Sequence, residues 1–274
     1  MTSADLDLAH ASPAAVRALI RTGAYAGPTS GLCLGHLQAN VAILPAEAAD
    51  EFRRFCELNS QPMPLVDITA PGDPEPSHVA PGADLRTDVP RYRVYRDGEV
   101  AGEPTEIRDL WQDDFVGFLL GCSFSAENRL LEAGVRLRHL EVGRNVPMFV
   151  TSIECTPVGR FHGPMVVSMR PIARDQVDLA ARVTAELPLA HGAPVCVGEP
   201  ERLGIGDLAH PDFGDAVPPE GDEVPMFWAC GVTPQAVLMT VRPPLAITHA
   251  PGHMFVADAP EHEVAGRRPI EPES

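Results

Sequence analysis

The sequence contains no lysine: all 21 of its basic residues are arginines. A Schiff-base lysine, a P-loop lysine and a catalytic lysine amine are therefore excluded. Any anionic ligand has to be held by arginine, histidine or backbone N–H groups. The arginines are outnumbered by 38 acidic residues, which gives a net charge of −17. This charge argues against binding to nucleic acid or to an anionic membrane surface.

The six cysteines lack the CxxC spacing and every other spacing typical of metal ligands. The longest apolar runs, such as Phe115–Cys122, are too short to cross a bilayer. The N-terminus, Met-Thr-Ser-Ala-Asp, is acidic and has no apolar signal segment. Together these absences predict a soluble cytoplasmic protein with reduced thiols and no cofactor.

An apolar fraction of 45% over 274 residues is enough for one large domain or two small ones. Ser12-Pro13 predicts the start of a helix, and Gln38–Leu44 a strand. Asp97-Gly98 is typical of a hairpin turn. The apolar spacing from Thr105 to Gly121 predicts a helix.

The predicted order of helices and strands in the middle of the chain differs from the order at its two ends. Ser125 is predicted to cap a short helix that Gly134 ends, and Val135–Val142 alternates like a half-exposed strand. The helix–strand alternation at both ends predicts one α/β layer built from the N-terminal and C-terminal parts. A smaller two-layer α+β unit, residues 122–220, is predicted as an insertion. Residues 1–11 and 259–274 are predicted to be flexible termini.

The stretch Met226–Asp258 carries the highest density of reactive side chains. It predicts a strand, a tight turn at Cys230, a helix capped by Thr233 with Pro234 in its first turn, and a second strand. A helix start exposes backbone N–H groups and favours a carboxylate or phosphate. We expect four side chains to lie close to this anion site: Cys230, Gln235, His249 and His253.

Cys122 and Cys230 lie in similar small-residue turns. They are either thiols activated at helix starts, which could act as acid and base, or buried small hydrophobic residues. Loop histidines beside Gly or Pro are candidate ligands or acid–base groups: His162, His191, His249 and His253. His249 and His253 are four residues apart, but Pro251-Gly252 forbids the helical geometry of a zinc pair.

Several polar residues of the middle segment are candidates for binding a carboxylate or for moving a proton. One of the residues that bracket its strands could form a carboxylate clamp, unless it pairs with the abundant surface acids: Arg144-Asn145, Arg160 or Arg170. Glu127 is a candidate general base or an ordinary solvated acid. Ser123 and Ser125 are candidate ligands, but no Gly-x-Ser-x-Gly elbow supports a nucleophilic serine.

Several long segments resemble the D-glutamate cyclase family. They cover residues 27–40 (GPTSGLCLGHLQAN), 121–125 (GCSFS), 144–148 (RNVPM), 163–171 (GPMVVSMRP), 227–235 (FWACGVTPQ) and 247–254 (ITHAPGHM). The resemblance implies a three-layer α/β/α domain, here residues 12–121 and 221–258, with the smaller two-layer α+β domain inserted. It also implies a hydro-lyase, with D-glutamate conversion to 5-oxo-D-proline as the reaction of the vertebrate relative.

The residues and the resemblance together predict a hydro-lyase acting on a small amino-acid or hydroxy-acid carboxylate. An acid and a base beside that substrate would be His249 or His253 and Glu127. Two alternatives stay open: a non-catalytic carboxylate-binding protein and a metal-dependent hydrolase. Neither nucleic acid nor membrane is a predicted partner. The long loops 69–90 and 199–221 are typical of lids or subunit contacts, so a homo-oligomer is also open.

Overall fold

The computed structural model describes residues 7–260. The α-helices in this range are α1 (Pro13–Arg21), α2 (Ala46–Leu58), α3 (Phe124–Glu132), α4 (Arg138–Glu141), α5 (Val177–Ala185) and α6 (Thr233–Val241). The strands are β1 (His36–Pro45), β2 (Leu65–Ile68), β3 (Tyr92–Arg96), β4 (Glu99–Gly102), β5 (Phe115–Gly121), β6 (Met148–Glu154), β7 (Pro164–Ala173), β8 (Cys196–Val197), β9 (Glu223–Ala229), β10 (Ala246–His249) and β11 (Phe255–Pro260). The protein is thus mixed α/β.

Seven strands form the first sheet, in the order β2-β5-β1-β10-β3-β4, with β11 also paired to β1. Four strands form the second sheet, in the order β6-β7-β9-β8. Every pairing in both sheets is antiparallel. β1 lies at the centre of the first sheet and is buried except at its two ends, because both of its faces are covered.

The main core lies between the two sheets. Ala42 and Leu44 of β1 face Val167 of β7 and Phe227 of β9, and the aromatic rings of α2 fill the space beside them. A second core covers the opposite face of the first sheet, where Val41 and other residues of β1 pack against segment 79–107. Side chains alternate between the two faces along a strand, so β1 serves both cores.

No helix within residues 7–260 has the length and apolar character needed to cross a membrane. The predicted flexible ends are described only in part, since residues 1–6 and 261–274 lie outside the described range. Residues 8 and 9 bond to Cys33 and Leu34 through backbone hydrogen bonds of 3.0 and 2.7 Å. Residues 259 and 260 end strand β11.

Several local predictions are confirmed. Ser12 caps α1 by accepting a hydrogen bond from the Ala15 N–H, and Pro13 is the first helical residue. Asp97 and Gly98 both have positive φ, 49° and 79°, as the turn between β3 and β4 requires. Helix α6 and strands β1, β9 and β10 also lie where the sequence places them, within a few residues.

The predicted helix from Thr105 to Gly121 is wrong. This segment contains a short 3-10 helix, Arg108–Leu110, followed by strand β5, whose seven residues are all buried. A strand buried on both faces is apolar throughout and therefore lacks the alternation that distinguishes it from a helix. The predicted strand Val135–Val142 is wrong as well, because Arg138–Glu141 forms α4.

Two predicted helix caps are wrong for the same reason. Ser125 lies inside α3, and its Oγ accepts a hydrogen bond from the backbone N–H of Gln38 at 3.0 Å. Thr233 is the first residue of α6 rather than its cap, and its Oγ accepts from the Val166 N–H at 3.0 Å. Both hydroxyls bind a neighbouring strand, a tertiary contact that local cap preferences do not contain.

The three-layer domain with an inserted two-layer domain stays a prediction. The first sheet does combine strands from the N-terminal and C-terminal parts of the chain, and the second is built from residues 148–229. β9 lies in the second sheet although its residues follow position 220.

Candidate active site

Two strand-to-helix turns approach the same residue of β1. The first leads from β5 through Cys122 into α3, and the second leads from β9 through Cys230 and Gly231 into α6. The amide of Asn40 donates a hydrogen bond to the Gly121 carbonyl at 2.7 Å. A Cβ at Gly231 would lie 1.9 Å from Asn40 Nδ2, so only glycine fits there. Asn40, which the sequence did not single out, therefore holds both turns in place.

The two turn cysteines are buried, with thiols near backbone N–H groups. Cys122 Sγ accepts from the Phe124 N–H at 3.5 Å. Burial raises the pKa of Cys230 to about 11, and burial also raises the pKa of Cys122 far above its usual range, with a further contribution from Cys230 nearby. Desolvation outweighs the N–H groups that would favour a thiolate, so both thiols are neutral near pH 7.

Glu127 of α3 forms a buried ionic cluster with Arg170 of β7 and His139 of α4. Its Oε1 lies 2.6 Å from Arg170 Nη2 and 2.9 Å from His139 Nε2. Burial alone would raise the pKa of Glu127, but the charges of His139 and Arg170 outweigh it and lower that pKa to about 2. A carboxylate held ionised in this way is a weak proton acceptor at neutral pH.

Three serines complete this cluster. Arg170 donates to Ser123 Oγ at 3.1 Å and to Ser168 Oγ at 3.2 Å, while Ser30 donates to Glu127 Oε2 at 3.2 Å. The Arg170 guanidinium also lies 5.7 Å from the ring centre of Trp228. With its donors occupied inside the protein, Arg170 holds α3 against β7.

An open cleft of about 370 Å³ lies between the two sheets. One wall comes from the β3 side of the first sheet and from the loop between β10 and β11. The other comes from segments that flank β6. The lining residues are Arg91, Arg93, Glu103, Asn145, Asp212, Phe213, Gly214, Ala250, Pro251 and His253. The cleft brings together two sequence-predicted residues, Asn145 and His253, with several that the sequence did not indicate.

Arg91 and Arg93 supply the positive charge of the cleft. They are two residues apart and therefore project from the same face of the extended chain at β3. Arg93 Nη2 pairs with Glu103 Oε1 at 2.6 Å. Among residues 7–260, the Arg91 guanidinium has no hydrogen-bond or ion-pair partner. The signal that could have found this pair is the alternation of two arginines before the predicted hairpin.

His253 is half-buried in the cleft wall. Its Nδ1 donates to the Pro251 carbonyl at 3.0 Å, so the neutral ring carries its proton on Nδ1. Within the described range Nε2 has no partner and keeps a lone pair. Burial lowers the pKa of His253 below its usual value. The ring is therefore neutral near pH 7 and is oriented as a proton acceptor.

The structure places His249 away from this cleft face. In the pairing of β10 with β3, His249 lies opposite Tyr92, whereas Thr248 lies opposite Arg93. Directly paired residues share a face, so His249 points to the other side of the sheet from Arg93. Its Nδ1 accepts from the Val41 N–H at 3.1 Å, and burial lowers its pKa to about 4.

Gln235 and Thr233 are fully buried connectors rather than exposed ligands. Gln235 accepts a hydrogen bond from the Tyr95 hydroxyl at 3.1 Å and donates to the His249 carbonyl at 2.9 Å, which ties α6 to β3 and β10. Thr233 ties α6 to β7 through Val166, as described above. Both residues fix the position of α6 against the strands of the two sheets.

Two further predicted residues lie outside the cleft. Arg144 is exposed and donates to the Ala216 carbonyl at 2.5 Å. His162 is exposed in the turn between β6 and β7. Arg170 of β7 follows His162 by eight residues, so the two lie about 26 Å apart at about 3.3 Å per residue. Neither side chain comes together with His253. Within residues 7–260, no three His, Cys, Asp or Glu side chains are grouped as a metal site would require.

Comparison with known proteins identifies the family. A model of the D-glutamate cyclase family matches residues 116–258. A protein of Bacillus licheniformis named "Putative hydro-lyase" is 57% identical over 92% of this chain and 96% of its own length. A protein of Stutzerimonas stutzeri with the same name is 56% identical, again over 92% and 96% of the two chains. The chain belongs to the D-glutamate cyclase family, and this membership supports a lyase.

One solved structure is also similar. The crystal structure of a nitrogen repressor-like protein from Methanococcus jannaschii aligns with 90% of this chain and 98% of its own, at 9% identity and a TM-score of 0.38. This likeness is too low to bear on function.

Proposed function

We propose that the protein is a hydro-lyase that converts D-glutamate to 5-oxo-D-proline and water in the cleft between its two sheets. The observation that carries the proposal is one cleft that contains both Arg91 and His253, whose guanidinium and Nε2 have no partner among residues 7–260. A carboxylate ligand and a proton acceptor are the two groups that cyclisation of an amino acid needs. The family membership supports the same reaction.

The α-carboxylate of the substrate binds Arg91. This contact matters in a protein of net charge −17, because the overall field repels an anion and a local arginine has to overcome it. Arginine can form two parallel hydrogen bonds to a carboxylate, which also orients the substrate. The backbone of the substrate is then fixed while its side-chain carboxyl group folds back towards the amine.

His253 performs the proton transfers. Its Nε2 takes a proton from the substrate ammonium, and the neutral amine attacks the γ-carboxyl carbon. The new C–N bond forms and a C–O bond breaks. Two of the three ammonium protons leave with that oxygen as water, and the third stays on the lactam nitrogen. Because the same histidine accepts and returns protons, ring opening of 5-oxo-D-proline can use the same site.

The test is NMR of the purified protein with D-glutamate and, separately, with 5-oxo-D-proline. Interconversion is expected. His253→Asn should lower kcat by about 10²–10⁴-fold, the usual contribution of a general base, while binding is kept. The matched control is His10→Asn, which changes an exposed histidine that pairs with Asp7 and does not line the cleft. No turnover in either direction by the wild-type protein would refute the proposed reaction.

Arg91→Ala should weaken substrate binding by about 10–100-fold, since hydrogen bonds to charged groups contribute about 1.5–3 kcal/mol. Arg96→Ala is the control, because Arg96 is an exposed arginine of the same strand β3 that does not line the cleft. If ligand binds to the wild-type protein without turnover and His253→Asn changes nothing, the protein is a carboxylate-binding protein instead.

A further inference from the structure

We propose that Asn145 is the specificity residue by which the cleft recognises the amine of its substrate and rejects carboxylates that lack one. This inference rests on the proposed function and adds a recognition step to it. Arg91 accounts for the carboxylate and His253 for the proton transfer. Arg91 does not distinguish an amino acid from the corresponding unsubstituted acid, and His253 has to release the amine for its attack.

Asn145 lines the cleft, and its Oδ1 is buried without a hydrogen-bond partner among the described residues. An amide oxygen can only accept hydrogen bonds. Leaving such an acceptor unsatisfied in a buried place is unfavourable, so a donor from a ligand would relieve it. The substrate ammonium is such a donor, whereas a carboxylate is not.

The position of Asn145 is fixed from both sides. Its backbone N–H donates to Asp215 Oδ2 at 2.8 Å, and its carbonyl accepts from the Asp215 N–H at 3.3 Å. On the other side the amide packs directly on Gly252, where a Cβ would lie 2.7 Å from Asn145 Nδ2. Gly252 directly precedes His253, and Asn145 and His253 line the same cleft.

The charges in the cleft fit a zwitterion. Arg91 provides a positive group on the wall formed by the first sheet, and the opposite wall contains Asn145 and the exposed carboxylate of Asp212. A hydroxyl could donate one neutral hydrogen bond to Asn145. An ammonium donates a charge-assisted bond, which is roughly twice as strong. The cleft should therefore prefer the amino acid over the hydroxy acid, and both over the unsubstituted acid.

The test is calorimetric binding of D-glutamate, D-2-hydroxyglutarate and glutarate, made in the His253→Asn background so that no ligand is consumed. With Asn145 present, D-glutamate should bind at least about tenfold more tightly than glutarate. Asn145→Leu should lower this ratio several-fold while the Kd of glutarate changes little, and the Asp212 carboxylate accounts for any preference that is left. Asn128→Leu is the matched control, since Asn128 is half-buried on α3 outside the cleft.

A thermal unfolding curve checks that each variant is folded. If Asn145→Leu does not fold, Asn145→Asp replaces it, and the ratio should then rise because a full negative charge faces the ammonium. A ratio that persists in Asn145→Leu, or that does not rise in Asn145→Asp, overturns this inference and leaves the proposed reaction standing. If neither glutamate nor glutarate binds with Asn145 intact, the cleft is not a carboxylate site, and both proposals are overturned.

Discussion

Replacing Glu127 with glutamine tests whether the buried ionic cluster stabilises the fold. The variant keeps the size of the side chain and removes its charge, which leaves Arg170 and His139 buried without their counter-ion. Removing one partner of a buried ion pair typically costs about 3–5 kcal/mol. The pKa of Glu127 gives an independent figure: a decrease from 4.5 to about 2 on folding corresponds to about 3 kcal/mol.

The sign of the pH dependence follows from the direction of this shift. A carboxyl group whose pKa is lowered by folding contributes stability above its unfolded pKa and loses it as the pH falls towards the folded value. The free-energy difference between wild type and Glu127→Gln should be complete above about pH 5. It should be smaller by about 1 kcal/mol at pH 3.5, where the carboxyl of the unfolded wild-type chain is mostly protonated.

Urea unfolding followed by circular dichroism at pH 7 and pH 3.5 measures both effects. With an m-value of about 3 kcal/mol/M, the loss at pH 7 lowers the unfolding midpoint by about 1 M. Glu141→Gln is the control, because Glu141 forms an exposed ion pair with Arg136 and should leave the midpoint unchanged. The reasoning would be refuted if Glu127→Gln behaved like this control, or if its cost were the same at both pH values.

Three further outcomes are expected. Gly231→Ala and Gly121→Ala should each destabilise the protein by about 1–3 kcal/mol, because the new Cβ would lie 1.9 Å from Asn40 Nδ2 in the first and 1.6 Å from the Leu189 carbonyl oxygen in the second. Gly206→Ala is the control, since the space around Gly206 is empty. Unfolding temperatures of both variants equal to that of Gly206→Ala would contradict this prediction. All six cysteines are buried, so a maleimide at pH 8 should label the native protein slowly and the urea-unfolded protein fast. Mass spectrometry counts the labelled cysteines over time. Burial lowers the pKa of His253 from 6.5. The value of kcat/KM for D-glutamate should therefore stay constant as the pH falls to about 6.5 and should decline only at lower pH. An apparent pKa above 7 in the pH–rate profile would argue against His253 as the base.

The parts of the fold that follow from short-range signals could be predicted. Ser12-Pro13 and Asp97-Gly98 determine a helix start and a turn through their own backbone preferences, and both occur as expected. Strand β5 could not be distinguished from a helix, since its burial on both faces removes the polar alternation. This segment forms a strand because it pairs with β1 and β2, which are distant in sequence.

The candidate site was predicted in part for a similar reason. Residue type and a loop position were enough to indicate His253 and Asn145. They could not show which side of a sheet His249 faces, because this depends on the register of β10 against β3. Arg91 was not predicted, since the sequence does not show which arginines are left without an acidic partner in the folded chain. Glu127 and Arg170 were each indicated, but only the structure shows that they bind each other.

The place of β1 in the first sheet has a consequence for synthesis of the chain. β1 pairs with β10 and β11, which are made about two hundred residues later. Until those strands leave the ribosome, β1 has an uncovered edge, and its apolar side chains lack much of their packing. Such long-range closure slows folding and exposes a strand edge to other chains. The first sheet therefore closes around β1 only after β10 and β11 have been released.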